Sequence, residues 1–82
     1  MEDIKYGTVK IHLDEVMKRN NISINKLSFR AEMQRTQLKK YCHNEIQRLD
    51  ISVLSRLCYA LNCDLTDLLE YIPPEEIHSD SH

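Results

Sequence analysis

The chain has 82 residues, 41% of them apolar and 29% charged, a balance that excludes a disordered segment and predicts one small globular domain. Its single glycine, together with prolines only at Pro73 and Pro74, excludes a β-sandwich or barrel, which needs many tight turns, and favours helices. The net charge of −2 is unevenly spread, because residues 24–49 carry six Lys and Arg against two Asp and Glu, whereas residues 50–82 carry one against seven.

The compartment of the protein is predicted from its apolar runs and its cysteines. No apolar run is long enough to span a bilayer, and the N-terminus MEDIKYGTVK is too charged for a signal peptide. We therefore expect a cytoplasmic protein. Its three cysteines do not have the pattern of a disulfide scaffold, so we expect reduced thiols.

Residues 1–9 are predicted to be an N-terminal arm or a short strand. Apolar and polar residues alternate around Gly7, and a strand from Lys5 to Val9 could pair with another chain or with a tail. The sequence leaves both interpretations open. The helical domain is predicted to follow over residues 10–73.

Two amphipathic helices are predicted first. Helix 1 runs from Ile11 to Asn20 and is stopped by Asn20 and Asn21, because Asn tolerates the left-handed backbone of helix ends. Its buried positions are Leu13, Val16 and Met17. Helix 2 begins behind Ser23, whose hydroxyl can accept a hydrogen bond from the first turn, and ends near Ala31. Its buried positions are Ile24, Leu27 and Ala31.

Helix 3 follows a turn at Glu32-Met33 and is predicted from about Arg35 to His43. Leu38 and Tyr41 point inward at helical spacing. The outward face is polar throughout and consists of Arg35, Thr36, Gln37, Lys39 and Lys40. After Asn44 and Glu45, a loop held by two apolar side chains is predicted at residues 46–49.

Two further helices are predicted in the acidic part of the chain. Helix 4 begins behind Asp50, ends at Asn62 and carries the apolar stripe Leu54, Leu57, Cys58 and Leu61. Helix 5 begins behind Asp64 and continues until Pro73 forbids it. Its stripe is Leu65, Leu68, Leu69 and Ile72. Residues 74–82 are predicted to be an acidic, disordered tail.

The stretch from about His12 to Tyr71 resembles the lambda-repressor-like helix-turn-helix domains of bacteria and their phages, of the Cro/CI or Xre type. The residues that carry the resemblance are LDEVMKRNNIS, KLSFRAEMQRTQLKKY and LDISVLSRLCYALNCDLTDLLEY. It implies an all-α, five-helix DNA-binding domain whose third helix enters the major groove. The chain departs from the family pattern at Glu32, where Gly is usual, and at Gln34, where Ser or Thr usually caps helix 3.

The resemblance also implies which residues contact DNA. Base-reading residues lie at the start of helix 3 and one turn further on, at Arg35, Thr36, Gln37 and Lys40. Phosphate-binding residues lie at the start of helix 2 and in the loop after helix 3, at Ser23, Asn25, Asn44, Gln47 and Arg48. The charge of Lys39 on the outward face of helix 3 predicts a further phosphate contact. Arginine can form a bidentate pair with guanine and glutamine with adenine, and lysines on phosphates make the affinity depend on salt.

The sequence thus predicts a sequence-specific regulator of transcription that binds double-stranded DNA, acts as a repressor and forms a homodimer. The predicted dimer surface is helix 5 with the tail, where Tyr71 and Ile72 are exposed, or the N-terminal arm. The alternative is a helix-turn-helix that serves as a protein-interaction module, such as an antitoxin-like or phage-encoded partner protein. The acidic C-terminal third supports that alternative.

No enzyme, metal site, cofactor or small-molecule ligand is predicted. A chain with one glycine has no Gly-rich phosphate loop, and no Ser or Cys has the context of a nucleophile. Cys42-His43 and the pair Cys58 and Cys63 offer metal-ligand atoms, but without the Cys-x-x-Cys spacing of a zinc site. Cys58 is better explained as a small core residue.

Overall fold

The computed structural model describes residues 6–74 of the chain. Its elements in chain order are β1 (Thr8–Ile11), α1 (Leu13–Arg19), α2 (Ile24–Ala31), α3 (Arg35–Cys42), α4 (Ile51–Leu61), α5 (Leu65–Leu68) and β2 (Leu69–Ile72). The predicted five-helix fold is confirmed, and β1 and β2 form a two-stranded antiparallel sheet, here named the terminal ribbon. The predicted tail from residue 75 onward lies outside the described residues.

Each of the five helices contributes one fully buried leucine to a single core. These leucines are Leu13, Leu27, Leu38, Leu57 and Leu68, all with no exposed surface. Each stabilises the fold by about 1.5–3 kcal/mol through removal of its side chain from water. Within residues 6–74 no polar or charged residue is buried, and no helix there is long and apolar enough to cross a membrane.

The buried faces of the first three helices are those predicted, except that Ile24 of α2 is only partly buried. Val16 and Met17 of α1, together with Ala31 of α2, join the leucines in the core. Tyr41 of α3 is 3% exposed, so it is a core residue and its ring is not available to stack on a base. Burial raises the pKa of its hydroxyl, and the nearby Asp50 carboxylate adds to that effect.

The buried face of α4 differs from the predicted stripe. Val53 and Ala60 are buried beside Leu57 and Leu61, whereas the predicted Leu54 and Cys58 are only partly buried. The reason is that α4 packs against both α2 and α5, so the face of α4 that is buried is not centred on the predicted leucine stripe.

The prediction of a long helix 5 was wrong. The helix ends at Leu68, and Leu69 already has the extended backbone of β2, with φ −122° and ψ 143°. Leu65, predicted to be buried, is 47% exposed. Two influences favour a strand here: Pro73 disfavours a helical backbone at the preceding residue, and β1 supplies hydrogen-bonding partners.

The terminal ribbon also shifts the start of helix 1. Ile11, predicted to open that helix, belongs to β1 and pairs with Leu69, so α1 begins at Leu13. A strand does form near the N-terminus, but it runs over Thr8–Ile11, and the predicted start at Lys5 lies outside the described residues. Gly7 precedes β1 with φ +91°, and a Cβ there would clash with the Ile72 carbonyl oxygen.

His12 joins the terminal ribbon to α1. Its backbone N–H donates to the Leu68 carbonyl at 2.6 Å, and its Nε2 lies 2.6 Å from Oε1 of Glu70 on β2. Its Nδ1 lies 2.9 Å from Oε1 of Glu15, but in a direction that makes no hydrogen bond. The ribbon is therefore attached to the helices by both backbone and side chain.

Four helices end on left-handed residues that are not glycine, namely Asn21, Glu32, Asn44 and Asn62. In each case the N–H of the next residue bonds to the carbonyl five positions earlier, at 2.9 to 3.1 Å. This is the Schellman arrangement, which satisfies carbonyls at a helix end and which usually has glycine at the left-handed position. The prediction that asparagine replaces glycine at these ends is confirmed at Asn21 and Asn62.

Candidate nucleic-acid interface

The outward face of α3 is the most polar helix face of the basic segment. Its buried residues are Leu38 and Tyr41. At 100° per residue, Thr36 and Lys40 lie opposite the core, one turn apart. Arg35 and Lys39 flank them on one side and Gln37 on the other, and all five side chains are exposed. The structure thus brings the four predicted base-reading residues together on one continuous surface.

Arg35 is held in place by a residue from the preceding helix. Its Nη1 donates to Oδ1 of Asn25 at 2.9 Å. Asn25 lies in the first turn of α2, so this bond crosses from one helix of the pair to the other. It reduces the number of rotamers open to the Arg35 side chain, and an ordered guanidinium loses less entropy when it meets a ligand.

The start of α2 points backbone donors toward solvent beside Arg35. Ser23 is the N-cap with an extended backbone, and its Oγ accepts the Lys26 N–H at 3.1 Å. The N–H groups of the first helical turn have no partner within the helix and carry partial positive charge, which is the usual basis for phosphate binding at helix N-termini. Ser23 and Asn25, both predicted phosphate contacts, lie in this turn.

The turn between α2 and α3 forms although its left-handed residue is glutamate. Glu32 has φ 55° and ψ 50°. Ser28 donates its hydroxyl to the Met33 carbonyl at 2.6 Å, and Arg56 of α4 donates from Nη1 to the Glu32 carbonyl at 3.2 Å. These bonds satisfy the carbonyls of the turn and offset the strain of a left-handed residue with a Cβ. Gln34, the N-cap of α3, makes no side-chain capping bond.

The loop after α3 carries three predicted phosphate contacts, but its first residue is already engaged. The side-chain amide of Asn44 accepts the Ile11 N–H at 2.6 Å and donates to the Ile11 carbonyl at 3.1 Å. Gln47 and Arg48 are exposed. Asn44 therefore joins the loop to β1, and a contact with phosphate stays a prediction that its intrachain bonds disfavour.

The far end of this loop is fixed at the start of α4. Asp50 is the N-cap, and its Oδ1 accepts the Ser52 N–H at 2.9 Å. That bond, followed by a bond from the Ser52 hydroxyl, holds the pKa of the Asp50 carboxyl below its usual value. Both ends of the segment that carries Gln47 and Arg48 are therefore anchored.

The cations of α3 have no carboxylate partner within the described residues. Ion pairs in that range lie on other elements, between Lys18 and Asp14 of α1 and between Arg19 and Asp67. Arg35, Lys39 and Lys40 keep their charge available for an external anion. The surface is thus basic, ordered at Arg35 and flanked by backbone donors, as a polyanion such as DNA requires.

The model of the Cro/C1-type helix-turn-helix DNA-binding domain matches residues 12–74 of the chain. The chain belongs to this family. Its helix-turn-helix consists of α2, the Glu32 turn and α3, and the match covers every helix of the fold.

Solved structures show the same fold as this Cro/C1-type domain. One is a protein from Bacteroides fragilis whose description proposes DNA binding; it is 16% identical with a TM-score of 0.68, and the alignment covers 77% of this chain and 100% of that one. Another is the transcriptional regulator VanUg, 18% identical with a TM-score of 0.66, covering 90% of this chain and 100% of that one. No curated protein matches the chain significantly.

Sequence reasoning missed the residues that support the Cro/C1-type surface from behind. Ser28 and Arg56 stabilise the turn, and the contact of Asn25 with Arg35 orders a predicted base-reading side chain. Arg56 is the only Lys or Arg among residues 50–82. A single cation in an acidic segment could have indicated that this side chain contacts the basic segment. The partner of Asn25 is ten residues away and depends on the angle between two helices, for which the sequence offers no signal.

Proposed function

We propose that this Cro/C1-type protein is a sequence-specific regulator of transcription that reads the major groove of double-stranded DNA with α3. The observation that carries the proposal is the exposed face of α3, whose cations have no carboxylate partner among residues 6–74 and whose Arg35 is held by Asn25. An α-helix fits the major groove, where each base pair presents a distinct pattern of donors and acceptors. We propose repression as its mode of action, because a repressor needs only to occupy its site.

The base-reading roles fall to the residues that lie farthest from the core. Thr36 and Lys40 face directly outward, so they reach the groove floor first, with Arg35 and Gln37 on either side. Arg35 can donate two bonds to guanine O6 and N7, and Gln37 can form a bidentate pair with adenine N6 and N7. Each good bidentate pair discriminates against the wrong base by about 1–3 kcal/mol.

The phosphate contacts would come from both ends of the helix pair. Ser23 and Asn25 offer the start of α2, Lys39 lies on the flank of α3, and Gln47 and Arg48 are exposed on the anchored loop. These contacts set the position of α3 in the groove but carry no sequence information. Asn44 is the predicted contact that the structure supports least, because its amide bonds to Ile11.

A titration of fluorescent duplex DNA across a salt series tests whether DNA is bound at all. With random duplex, the logarithm of the binding constant should fall linearly with the logarithm of salt concentration, by about 0.9 per phosphate neutralised. No binding at low salt, or a slope near zero, would contradict the proposal. Selection of bound duplexes from a random pool would then report the base preference and the symmetry of the site.

Two substitutions on one helix separate base reading from phosphate binding. Arg35→Ala should relax the preference at one base position of the selected site, whereas Lys39→Ala should weaken all sequences alike and lower the salt slope by about one. Lys18→Ala is the matched control, since Lys18 lies on α1 in an ion pair with Asp14. Equal effects of the first two substitutions on selected and random duplex would overturn the assignment of roles.

The second candidate function is a protein-interaction module, and a separate surface favours it. Phe29 on α2 and Tyr59 on α4 are 85% and 87% exposed, and Tyr59 borders the same groove as Lys26 and Arg30. Aromatic and arginine side chains are enriched where proteins bind one another. Two results together would support this alternative. The wild type would fail to bind duplex at low salt, and the Phe29→Ala variant would lose a protein partner that the wild type binds.

A further inference from the structure

The left-handed ends of the first four helices each bring two side chains together across a turn. In the Schellman arrangement the residue after the left-handed one packs on the residue five positions earlier. At the end of α1 this pair is Ile22 with Met17, and both side chains are buried. At the end of α4 the pair is Cys63 with Cys58, and the Cys63 N–H bonds to the Cys58 carbonyl at 3.1 Å. The turn at Asn62 therefore places two thiols where an apolar contact is usual.

The two thiols at this turn lie close enough to influence each other. Burial raises the pKa of the Cys63 thiol to about 11, and the Cys58 thiol adds to that effect, in part through a hydrogen bond between the two side chains. Disulfides join residues whose Cα atoms lie roughly 4.4–6.8 Å apart, a separation that the backbone hydrogen bond across the turn favours. Both side chains are partly exposed, so a small dissolved reagent can reach them.

The third cysteine has a different neighbour. Cys42 lies on α3, and its thiol meets the Met17 thioether at 3.9 Å. Burial raises the pKa of the Cys42 thiol, followed by the Asp14 carboxylate, with no contribution from another thiol. A thioether cannot form a disulfide, so Cys42 is a reference thiol within the same chain. Among residues 6–74, His, Cys, Asp and Glu do not gather in threes, so the pair at the end of α4 lacks the further ligands of a zinc site.

We propose that Cys58 and Cys63 form a reversible modification site, a dithiol that a low-molecular-weight disulfide converts to an intramolecular disulfide. The Cys58 thiolate attacks one sulfur of the reagent, which gives a mixed disulfide and releases the other half as a thiolate. Cys63 then loses its proton to solvent, and its sulfur attacks the Cys58 sulfur and expels the second thiolate. Both released thiolates take up protons. Two cysteines thus lose two protons and two electrons, and the reagent is reduced to two thiols.

The disulfide closes a turn that other helices contact. The Ala60 carbonyl accepts a hydrogen bond from Arg30 of α2 at 3.3 Å. The Leu61 carbonyl accepts one from Asn20, at the end of α1, at 2.8 Å. Cys63 itself lies directly before the N-cap of α5. A covalent bond across this turn restricts the unfolded chain more than the folded one, so oxidation stabilises the arrangement of these helices.

A titration of the full chain with mixtures of glutathione and glutathione disulfide tests the site. Arg56 is the last Lys or Arg of the sequence, so trypsin releases Cys58 and Cys63 in one peptide and Cys42 in another. The first peptide should become lighter by about 2 Da, the mass of the two hydrogens lost, and dithiothreitol should restore it. The equilibrium constant for the disulfide should be about tenfold or more greater in the folded chain than in urea, because a bond that stabilises the fold is favoured by the fold.

Two cysteine variants complete the test. Cys42→Ser is the matched control and should oxidise as the wild type does, with a rise in Tm on the order of 5–10 °C. Cys63→Ser should stop at the mixed disulfide and show no such rise. A wild type that stops at the mixed disulfide, a bond that involves Cys42, or an equilibrium constant no greater in the folded chain than in urea would overturn the inference. These measurements use no DNA, so their outcome is independent of the proposed function.

Discussion

The ends of α2 and α4 adopt the same backbone turn with different residues and different support. At Glu32 both the residue itself and Met33 donate their N–H groups to one carbonyl, that of Ser28. At Asn62 the corresponding donors reach the carbonyls of both Cys58 and Tyr59. Both turns are accompanied by side-chain bonds to their carbonyls, and at the end of α4 Asn20 donates to the Leu61 carbonyl at 2.8 Å. The turns differ in the left-handed residue itself, because asparagine tolerates that backbone better than glutamate does.

Each of these two helices also has an arginine that donates a hydrogen bond to a carbonyl at the C-terminal end of the other helix. Arg56 of α4 donates to the Glu32 carbonyl at the end of α2, and Arg30 of α2 donates to the Ala60 carbonyl at the end of α4. Each arginine thus lies at a helix C-terminus, where carbonyls lack partners and the helix dipole favours a cation. The comparison shows that a turn can depart from the family's glycine when another helix satisfies its carbonyls.

The largest expected effect concerns the residue after the Asn62 turn. Burial, followed by the neighbouring Cys58 thiol, raises the pKa of Cys63 from 9.0 to about 11. Since only the thiolate reacts, Cys63 should be alkylated by iodoacetamide about a hundredfold more slowly than an unperturbed thiol near pH 8. Mass spectrometry of a time course measures that rate, with the denatured chain as reference.

The same thiol reports whether the turn stays closed. Asn62→Ala strains the left-handed residue, so Cys63 should be exposed more often and alkylated faster than in the wild type. The neutral thiol is favoured by the folded state, so its contribution to stability is present below pH 9 and is lost as pH rises toward about 11. Alkylation of the native wild type at the rate of the denatured chain would contradict a closed turn.

The next effect in size is the strain at Glu32. Glu32→Gly removes a Cβ from a left-handed residue and should stabilise the protein by about 0.5–1 kcal/mol after the added freedom of the unfolded chain is subtracted. A domain of this size should gain about 4–8 °C in Tm for each kcal/mol. Thermal unfolding followed by circular dichroism measures this shift.

A parallel substitution in the other turn is the control for Glu32→Gly. Asn62→Gly should change Tm much less, because asparagine already tolerates the left-handed backbone. Glu32→Asn should recover part of the gain while it keeps a side chain. An equal gain from both glycine substitutions would show that the two turns are equally strained, and the comparison between them would then be wrong.

The smallest effect is expected from the two arginines, Arg30 and Arg56, that bond to the end of the other helix. Arg56→Met and Arg30→Met each remove one bond to a partly solvated helix-end carbonyl and should cost a few tenths of a kcal/mol. Loss of Arg56 should cost more than loss of Arg30, because it leaves the strained Glu32 turn with only Ser28. Urea unfolding of the two single variants and the double variant measures the difference. A larger cost for Arg30→Met than for Arg56→Met would contradict the claim that the Glu32 turn depends more on its arginine than the Asn62 turn does.

The fold could be predicted where local signals agree with one another. The starts of α2, α3 and α4 follow from Ser23, the Glu32 turn and Asp50, and the buried leucines follow from helical spacing. The C-terminal strand could not be predicted, because the spacing of Leu65, Leu68, Leu69 and Ile72 fits a helix equally well. Its strand depends on pairing with β1, some sixty residues earlier, and such pairing has no local signal.

The sequence predicted which residues lie on the surface of the candidate site better than it predicted the hydrogen bonds that hold them in place. The polar outward face of α3 follows directly from the positions of Leu38 and Tyr41, and all four predicted base-reading residues are exposed there. Asn44 shows the limit of that reasoning. An asparagine in a loop is equally suited to phosphate and to a neighbouring strand, and only the approach of β1 decides which partner is within reach.

The register of the terminal ribbon determines how the fold responds to a pulling force. Thr8 lies opposite Ile72, so the chain enters and leaves the ribbon at the same end. A force between Tyr6 and Pro74 acts across the strands and breaks their hydrogen bonds pair by pair, starting from that end. The helices are loaded only after the bond from His12 to Leu68 has broken. The ribbon should therefore yield at low force by peeling, and the core of leucines should resist as a second, separate event.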